Sequence, residues 1–215
     1  MKLVQSTLPV RKRSLDTYAE RKEMTQEPIV NHEDLDINIV NVVASASLDQ
    51  KIDLLAILKV FRNVEYRPKQ FPGLVFRLKR PKTATLIFGS GKMVCTGAKS
   101  EKMARRAVNK VVRELKNNGI IILGKPSITI QNMVASANLH GSIDLETAAD
   151  ILDNVMYEPE QFPGLIYRMK DPKTVLLLFA SGKLVCTGAK SEEMVYESIV
   201  KIYGVLDDYD LLYQD

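Results

Sequence analysis

Two hydrophobic periods alternate along this chain. From Ile37 to Ala46 apolar and polar positions alternate and branched residues dominate, which predicts a strand. From Ile52 to Phe61 the apolar residues fall at helical spacing, which predicts a short helix. A period of two then returns in three runs, Leu74–Lys79, Thr83–Phe88 and Lys92–Thr96. Arg80-Pro81-Lys82 and Gly89-Ser90-Gly91 separate them, both chemically suited to tight turns, so the three runs predict an antiparallel meander. Ser100 followed by Met103, Ala107, Val108, Val111, Val112 and Leu115 predicts an N-capped amphipathic helix that closes near Asn118-Gly119.

The same order of elements occurs twice. Residues 37–110 align without gaps with residues 128–201 at a constant offset of 91, and 40 of the 74 positions are identical. The matching blocks include Asn41-Val42-Val43-Ala44-Ser45 with Asn132-Met133-Val134-Ala135-Ser136, and Gln70-Phe71-Pro72-Gly73-Leu74 with Gln161-Phe162-Pro163-Gly164-Leu165. A third block runs from Ser90 to Glu101 and from Ser181 to Glu192. A tandem duplication this strong predicts two copies of one fold related by a pseudo-dyad, and a ligand that matches both copies should itself be nearly two-fold symmetric. The expected division is an N-terminal extension over residues 1–30, read as a solvated tail, then repeats over 31–119 and 120–215. The second repeat ends in a short acidic tail and has the more acidic closing helix, around Glu192–Val205.

Strand alternation places Ala84, Leu86 and Phe88 on one face with Ile87 on the other, and Val94 with Lys92 and Thr96 while Met93 lies with Cys95. Both faces are therefore substantially apolar. Two helices per repeat can cover one of them. The other is left as an apolar surface rimmed by Arg77, Lys79, Lys92 and Lys99, which marks either a binding site or a face closed by a second sheet or a second copy.

Charge sharpens this picture. The net +4 divides into +2 over residues 1–30, +9 over 31–119 and −7 over 120–215. A basic half beside an acidic half fits a polyanion near the first and a basic protein near the second, or simply two differently solvated surfaces. No apolar run approaches the roughly 20 residues needed to span a bilayer, and the N-terminus lacks the apolar centre of a secretory signal, so an intracellular location is expected. Cys95 and Cys186 occupy equivalent strand positions and read as reduced, buried thiols. An enzyme finds little support. Gly89-Ser90-Gly91-Lys92 lacks the spacing of a phosphate loop and leads into a strand, and neither His32, His140 nor the cysteines form a ligand cluster, so no metal, cofactor or catalytic group is expected.

The paired Phe-Pro-Gly-Leu segments, the paired Ser-Gly-Lys-x-Val-Cys-Thr-Gly-Ala-Lys segments and Tyr157-Glu158-Pro159-Glu160 together resemble the TATA-box-binding protein family, archaeal type, over Leu35 to about Leu206. The resemblance implies an α+β saddle: a curved ten-stranded antiparallel sheet with four helices on its convex face and A·T-rich promoter DNA under its concave face. It also implies wedging of apolar side chains into the minor groove, a mode for which this family is itself a standard example. Carried over residue by residue, the wedges are Phe71 and Phe88, and Phe162 and Phe179. Val43, Leu86, Val94, Val134, Val175, Leu177 and Val185 then lie on the groove floor, where guanine's amino group would find no acceptor. Asn41, Thr96, Asn132 and Thr187 match the central polar contacts, although strand Asn and Thr can equally bond local backbone. Arg77, Arg168, Lys92, Lys183, Lys99 and Lys190 are expected at phosphates. Glu158, Glu160 and Gln161 match the loop that receives transcription factor B, through which RNA polymerase is recruited; their counterparts Arg67, Lys69 and Gln70 reverse the charge. The resemblance leaves open whether the free protein pairs with a second copy. It implies work at the archaeal nucleoid in the cytoplasm, or in the nucleus were the source eukaryotic. A protein-binding scaffold is the competing expectation.

Overall fold

A computed structural model describes residues 35–213. The expected N-terminal extension lies outside the described residues. The first repeat contains β1 (Asn38–Ser47), α1 (Leu54–Val60), β2 (Val64–Glu65), β3 (Leu74–Leu78), β4 (Thr83–Ile87), β5 (Lys92–Ala98) and α2 (Glu101–Asn117). The second contains β6 (Ser127–Asn138), β7 (Ser142–Ile143), α3 (Leu145–Ile151), β8 (Val155–Met156), β9 (Leu165–Met169), β10 (Thr174–Leu178), β11 (Lys183–Ala189), α4 (Glu192–Asp208) and β12 (Leu212–Tyr213). Ten strands form one antiparallel sheet in the order β2-β3-β4-β5-β1-β6-β11-β10-β9-β8, and β12 pairs separately with β7.

The centre of the sheet follows directly from the duplication. In the β1–β6 ladder Val42 stands opposite Met133, its own equivalent at the 91-residue offset, and Asn41 and Val43 stand opposite Val134 and Asn132. The pseudo-dyad therefore passes between Val42 and Met133, and the two meanders extend outward from it as symmetric halves of a saddle.

Burial alternates along the strands except where the bulges interrupt β5, β6 and β11. In β4, Thr83, Thr85 and Ile87 are buried while Ala84 and Leu86 are half-buried, and β10 repeats the pattern. The buried set faces the helices. Helix α2 lays Ala104, Ala107, Val108, Val111, Val112 and Leu115 on β1, β3, β4, β5 and β6, and α4 packs Val195, Ile199 and Ile202 against β6 and β11. Each long helix begins at a serine whose hydroxyl accepts the amide three residues on, Ser100 from Met103 and Ser191 from Met194, which satisfies an amide that the first turn cannot. The short helices use Asp53 and Asp144 in the same way; bonds from the Thr147 hydroxyl and amide hold the Asp144 carboxyl below its usual range.

Where element ends differ from the expected ones, a local device explains it. Asp53 caps the first helix and so delays its start, and extended backbone at Phe61 stops it at Val60. Strand β5 runs on to Ala98 because an irregularity at its junction with β1 absorbs one residue and lets pairing resume at Val42 opposite Ala98. Gly91 and Gly182 adopt positive φ in the β4–β5 and β10–β11 turns, where a Cβ would collide with the carbonyl oxygens of Gln50 and Gly141. The two-residue strands β2, β7, β8 and β12 carry no legible sequence period. Short edge strands such as β2 and β8 also offer little template for pairing with other chains.

Cys95 and Cys186 are buried at equivalent positions, and burial pushes both thiols up, Cys186 to about 11. Among the core positions that differ between the repeats, one carries an unpaired polar atom. Thr85 is fully buried, its hydroxyl has no hydrogen-bonding oxygen or nitrogen partner, and it faces the weakly bonding Cys95 thiol across the ladder; its counterpart in the second repeat is Leu176. Replacing an unsatisfied buried hydroxyl by a methyl of the same shape removes a desolvation cost. Thr85→Val is therefore expected to stabilise the protein by about 1 kcal/mol, read as a higher urea midpoint at unchanged slope.

Candidate nucleic-acid interface

The face of the sheet opposite the helices is open: among the described residues no element packs over it. Val43, Leu86, Val94, Val134, Val175, Leu177 and Val185 all lie there, half-buried between fully buried neighbours that point to the helices. The strands also bring Val75, Ile166, Ser45 and Ser136 to this surface, residues not singled out from the sequence although their parity with Arg77, Arg168, Val43 and Val134 points there, and Ala84 joins them beside Leu86 as alternation predicts. Arg77, Arg168, Lys92, Lys183, Lys99 and Lys190 are exposed around the strip. The structure thus brings the predicted floor and rim together on one surface.

At each end of the strip two phenylalanines meet. The Phe71 and Phe88 rings lie 5.8 Å apart at 67°, and Phe162 and Phe179 repeat this arrangement at 5.8 Å and 67°. Phe71 and Phe162 are 39% and 37% exposed, too open for core residues. Their seat is built locally. A turn closed by the Phe71 amide on the Arg67 carbonyl (2.9 Å), and by Phe162 on Glu158 (2.9 Å), folds the ring back over the following glycine. A Cβ on Gly73 would come within 2.6 Å of the Phe71 ring, and one on Gly164 within 2.7 Å of the Phe162 ring, so the glycine of Phe-Pro-Gly is the space the ring occupies.

Near the dyad sit two polar pairs. Asn41 Oδ1 accepts the Gly97 amide at 2.8 Å and the Thr96 hydroxyl at 3.2 Å; Asn132 Oδ1 accepts the Gly188 amide at 2.8 Å, with Thr187 within 3.5 Å. Gly97 and Gly188 have φ near +90°, +92° and +93°, and lie in the irregular stretches of the β1–β5 and β6–β11 ladders. Each asparagine thereby replaces the strand partner that the bulge removes. Local bonding engages Oδ1 of both asparagines, and Asn132 Nδ2 also donates to the Thr187 hydroxyl at 3.2 Å.

Glu158, Glu160 and Gln161 lie exposed in the turn before Phe162, and Arg67, Lys69 and Gln70 occupy the matching turn before Phe71. The structure keeps these groups apart at opposite ends of the sheet. Among the described residues no group of three His, Cys, Asp or Glu side chains is placed to hold a metal ion. What the surface offers is an apolar strip with amide donors at its middle, aromatic edges at its ends and cations at its rim. That pattern suits a two-fold polyanion.

Comparison with known proteins points the same way. The model of the family described as transcription factor TFIID, or TATA-binding protein, matches residues 36–118 and 127–209, two segments again 91 residues apart. A TATA-box-binding protein of Pyrodictium occultum is 61% identical over 169 residues, 79% of this chain and 85% of the relative. One from Sulfurisphaera tokodaii is 56% identical over 174 residues, 81% and 88% of the two chains. The solved structure of Methanococcus jannaschii TBP superposes with a TM-score of 0.75 at 50% identity, covering 80% of this chain and 99% of that one.

The dual bonding of Asn41 is testable on the protein alone. Gly97 is exposed enough for water to take over its amide, so Asn41→Ala is expected to cost about 1 kcal/mol in denaturant unfolding. Asn41→Asp keeps the acceptor and should unfold closer to wild type.

Proposed function

This chain belongs to the TATA-binding protein family, and from that premise we propose that it is a promoter-binding transcription initiation factor that acts without catalysis. Its open face receives the minor groove of A·T-rich DNA. The two Phe71–Phe88 and Phe162–Phe179 edges, at equal distances from a dyad, carry this reading: they suit a ligand opened at two symmetric steps. A phenyl ring can replace stacking area without importing a polar group that the opened step cannot satisfy.

The half-buried valines and leucines between the wedges exclude water and offer guanine's exocyclic amine no acceptor, whereas adenine N3 and thymine O2 accept from Asn41 and Asn132 Nδ2. Thr96 and Thr187 support those amides. Flexible TA steps lower the cost of opening, which adds preference at positions that no side chain reads. Arg77, Arg168, Lys92, Lys183, Lys99 and Lys190 meet phosphates; if all six do so, the log–log salt slope is about −5. Without DNA, the same apolar face is the surface a second copy would cover. No helix among the described residues is long and apolar enough to cross a membrane, consistent with work at the nucleoid.

The acidic turn Glu158-Pro159-Glu160-Gln161 receives transcription factor B, a basic partner, and through it RNA polymerase. The twin turn carries Arg67 and Lys69, so only one end of the saddle recruits.

A donor and acceptor dye on the two ends of a TATA duplex should show a large end-to-end distance change on binding, and a scrambled duplex should show none. Phe162→Ala with Phe179→Ala should abolish that change. At about 1–3 kcal/mol per stacked ring the double variant binds at least about thirtyfold more weakly. Binding of wild type without a distance change sinks the wedging mechanism. Glu158→Arg should eliminate the ternary complex with transcription factor B in a gel shift at unchanged binary affinity; normal ternary assembly refutes the recruiting role.

A further inference from the structure

The two ends of the open face differ at a position that neither the fold nor symmetric DNA binding requires. Glu65 on β2 stands opposite Val75, on the same side of the sheet as Arg77 two residues farther along β3. Its Oε1 lies 3.4 Å from Arg77 Nε, a diagonal contact between neighbouring strands. The offset of 91 carries Arg77 to Arg168, but carries Glu65 to Met156, which stands opposite Ile166 and is half exposed. Among the described residues Arg168 forms no ion pair.

Resting on the DNA reading above, we propose that Glu65 restrains Arg77 and weakens the first repeat's hold on the phosphate backbone, so that the two halves of the saddle grip a duplex unequally. Both partners are 58% exposed, so the pair contributes little to folding. Against DNA its effect is larger in kind. A phosphate that approaches Arg77 must either displace the carboxylate or lie beside it, and a like charge placed against a ligand is a repulsive element. At the other end the position equivalent to Glu65 carries the uncharged Met156, so no carboxylate from that strand position competes for Arg168.

The test uses the full chain and fluorescence anisotropy with a labelled TATA duplex across a salt series. Four variants are compared with wild type: Glu65→Met, which installs the second repeat's residue; Met156→Glu; Arg77→Ala; and Glu65→Met with Arg77→Ala. Glu65→Met is expected to bind roughly two- to fivefold tighter at low salt, with a log–log salt slope steeper by up to about 0.9. Met156→Glu should weaken binding by a similar factor, and the gain from Glu65→Met should vanish in the Arg77→Ala background. Unchanged affinity and slope in Glu65→Met overturn the inference, as does a gain that survives without Arg77. A wild-type chain that binds no duplex sinks the DNA reading as well, which separates the two failures.

Discussion

Pairing between β1 and β6 makes one sheet of two repeats, and the remaining architecture depends on it. Each repeat alone would end in β1 or β6 as a long unpaired edge, a row of backbone donors and acceptors open to any passing strand. Placing Val42 opposite Met133 satisfies both edges at once and fixes the pseudo-dyad at that pair. Every residue on the open face then acquires a counterpart at an equal distance from the centre. The separation of the two phenylalanine pairs is therefore set by strand count, not by flexible loops, and a rigid spacing is what a two-step opening of a duplex demands.

A sheet covered on one side only must be stabilised from that side. Helices α2 and α4 do this with small and branched residues, Ala104, Ala107, Val108 and Val111 in the first and Val195, Ile199 and Ile202 in the second, packed on the inward side chains of the strands. The outward side chains can then be apolar without being needed by the core. Backbone economy matters too. The bulges at Gly97 and Gly188 would leave amides unpaired in the middle of the sheet, and asparagine resolves this with a carbonyl oxygen. One side chain thus closes a structural defect at the centre of the open face.

Much of this was legible in the sequence because repeated patterns are self-checking. A strand period seen once is ambiguous, but the same period at residues 83 and 174, or 92 and 183, is constrained twice. The open face was readable from alternation, since Val94 shares parity with Lys92 and Thr96 while Met93 and Cys95 share the other. The strands of two residues were not readable, because a period of two needs more than one repeat to appear. The bulges were hidden for a related reason: each shifts register by one residue without changing the local composition, and only Gly97 and Gly188 hint at it. The Glu65–Arg77 contact was invisible because its partners are 12 residues apart and meet only through the pairing of β2 with β3.

Duplication also separates two kinds of constraint. Positions kept identical across the offset include both phenylalanine pairs, Asn41 and Asn132, Thr96 and Thr187, and the lysines and arginines of the rim. These are what a two-fold ligand needs, since it presents the same surface to both halves. Positions that diverge most lie elsewhere: Arg67 and Lys69 against Glu158 and Glu160 in the turns, and Lys102 and Arg106 against Glu193 and Glu197 on the long helices. Those groups are exposed, in the turns and on the long helices. Promoters have a direction while the minor groove of a TATA element nearly lacks one, so direction has to be supplied by the unsymmetric surfaces. Under the proposed function the two kinds of surface divide the work: the repeated face meets the element, and the unsymmetric surfaces decide which way assembly proceeds from it.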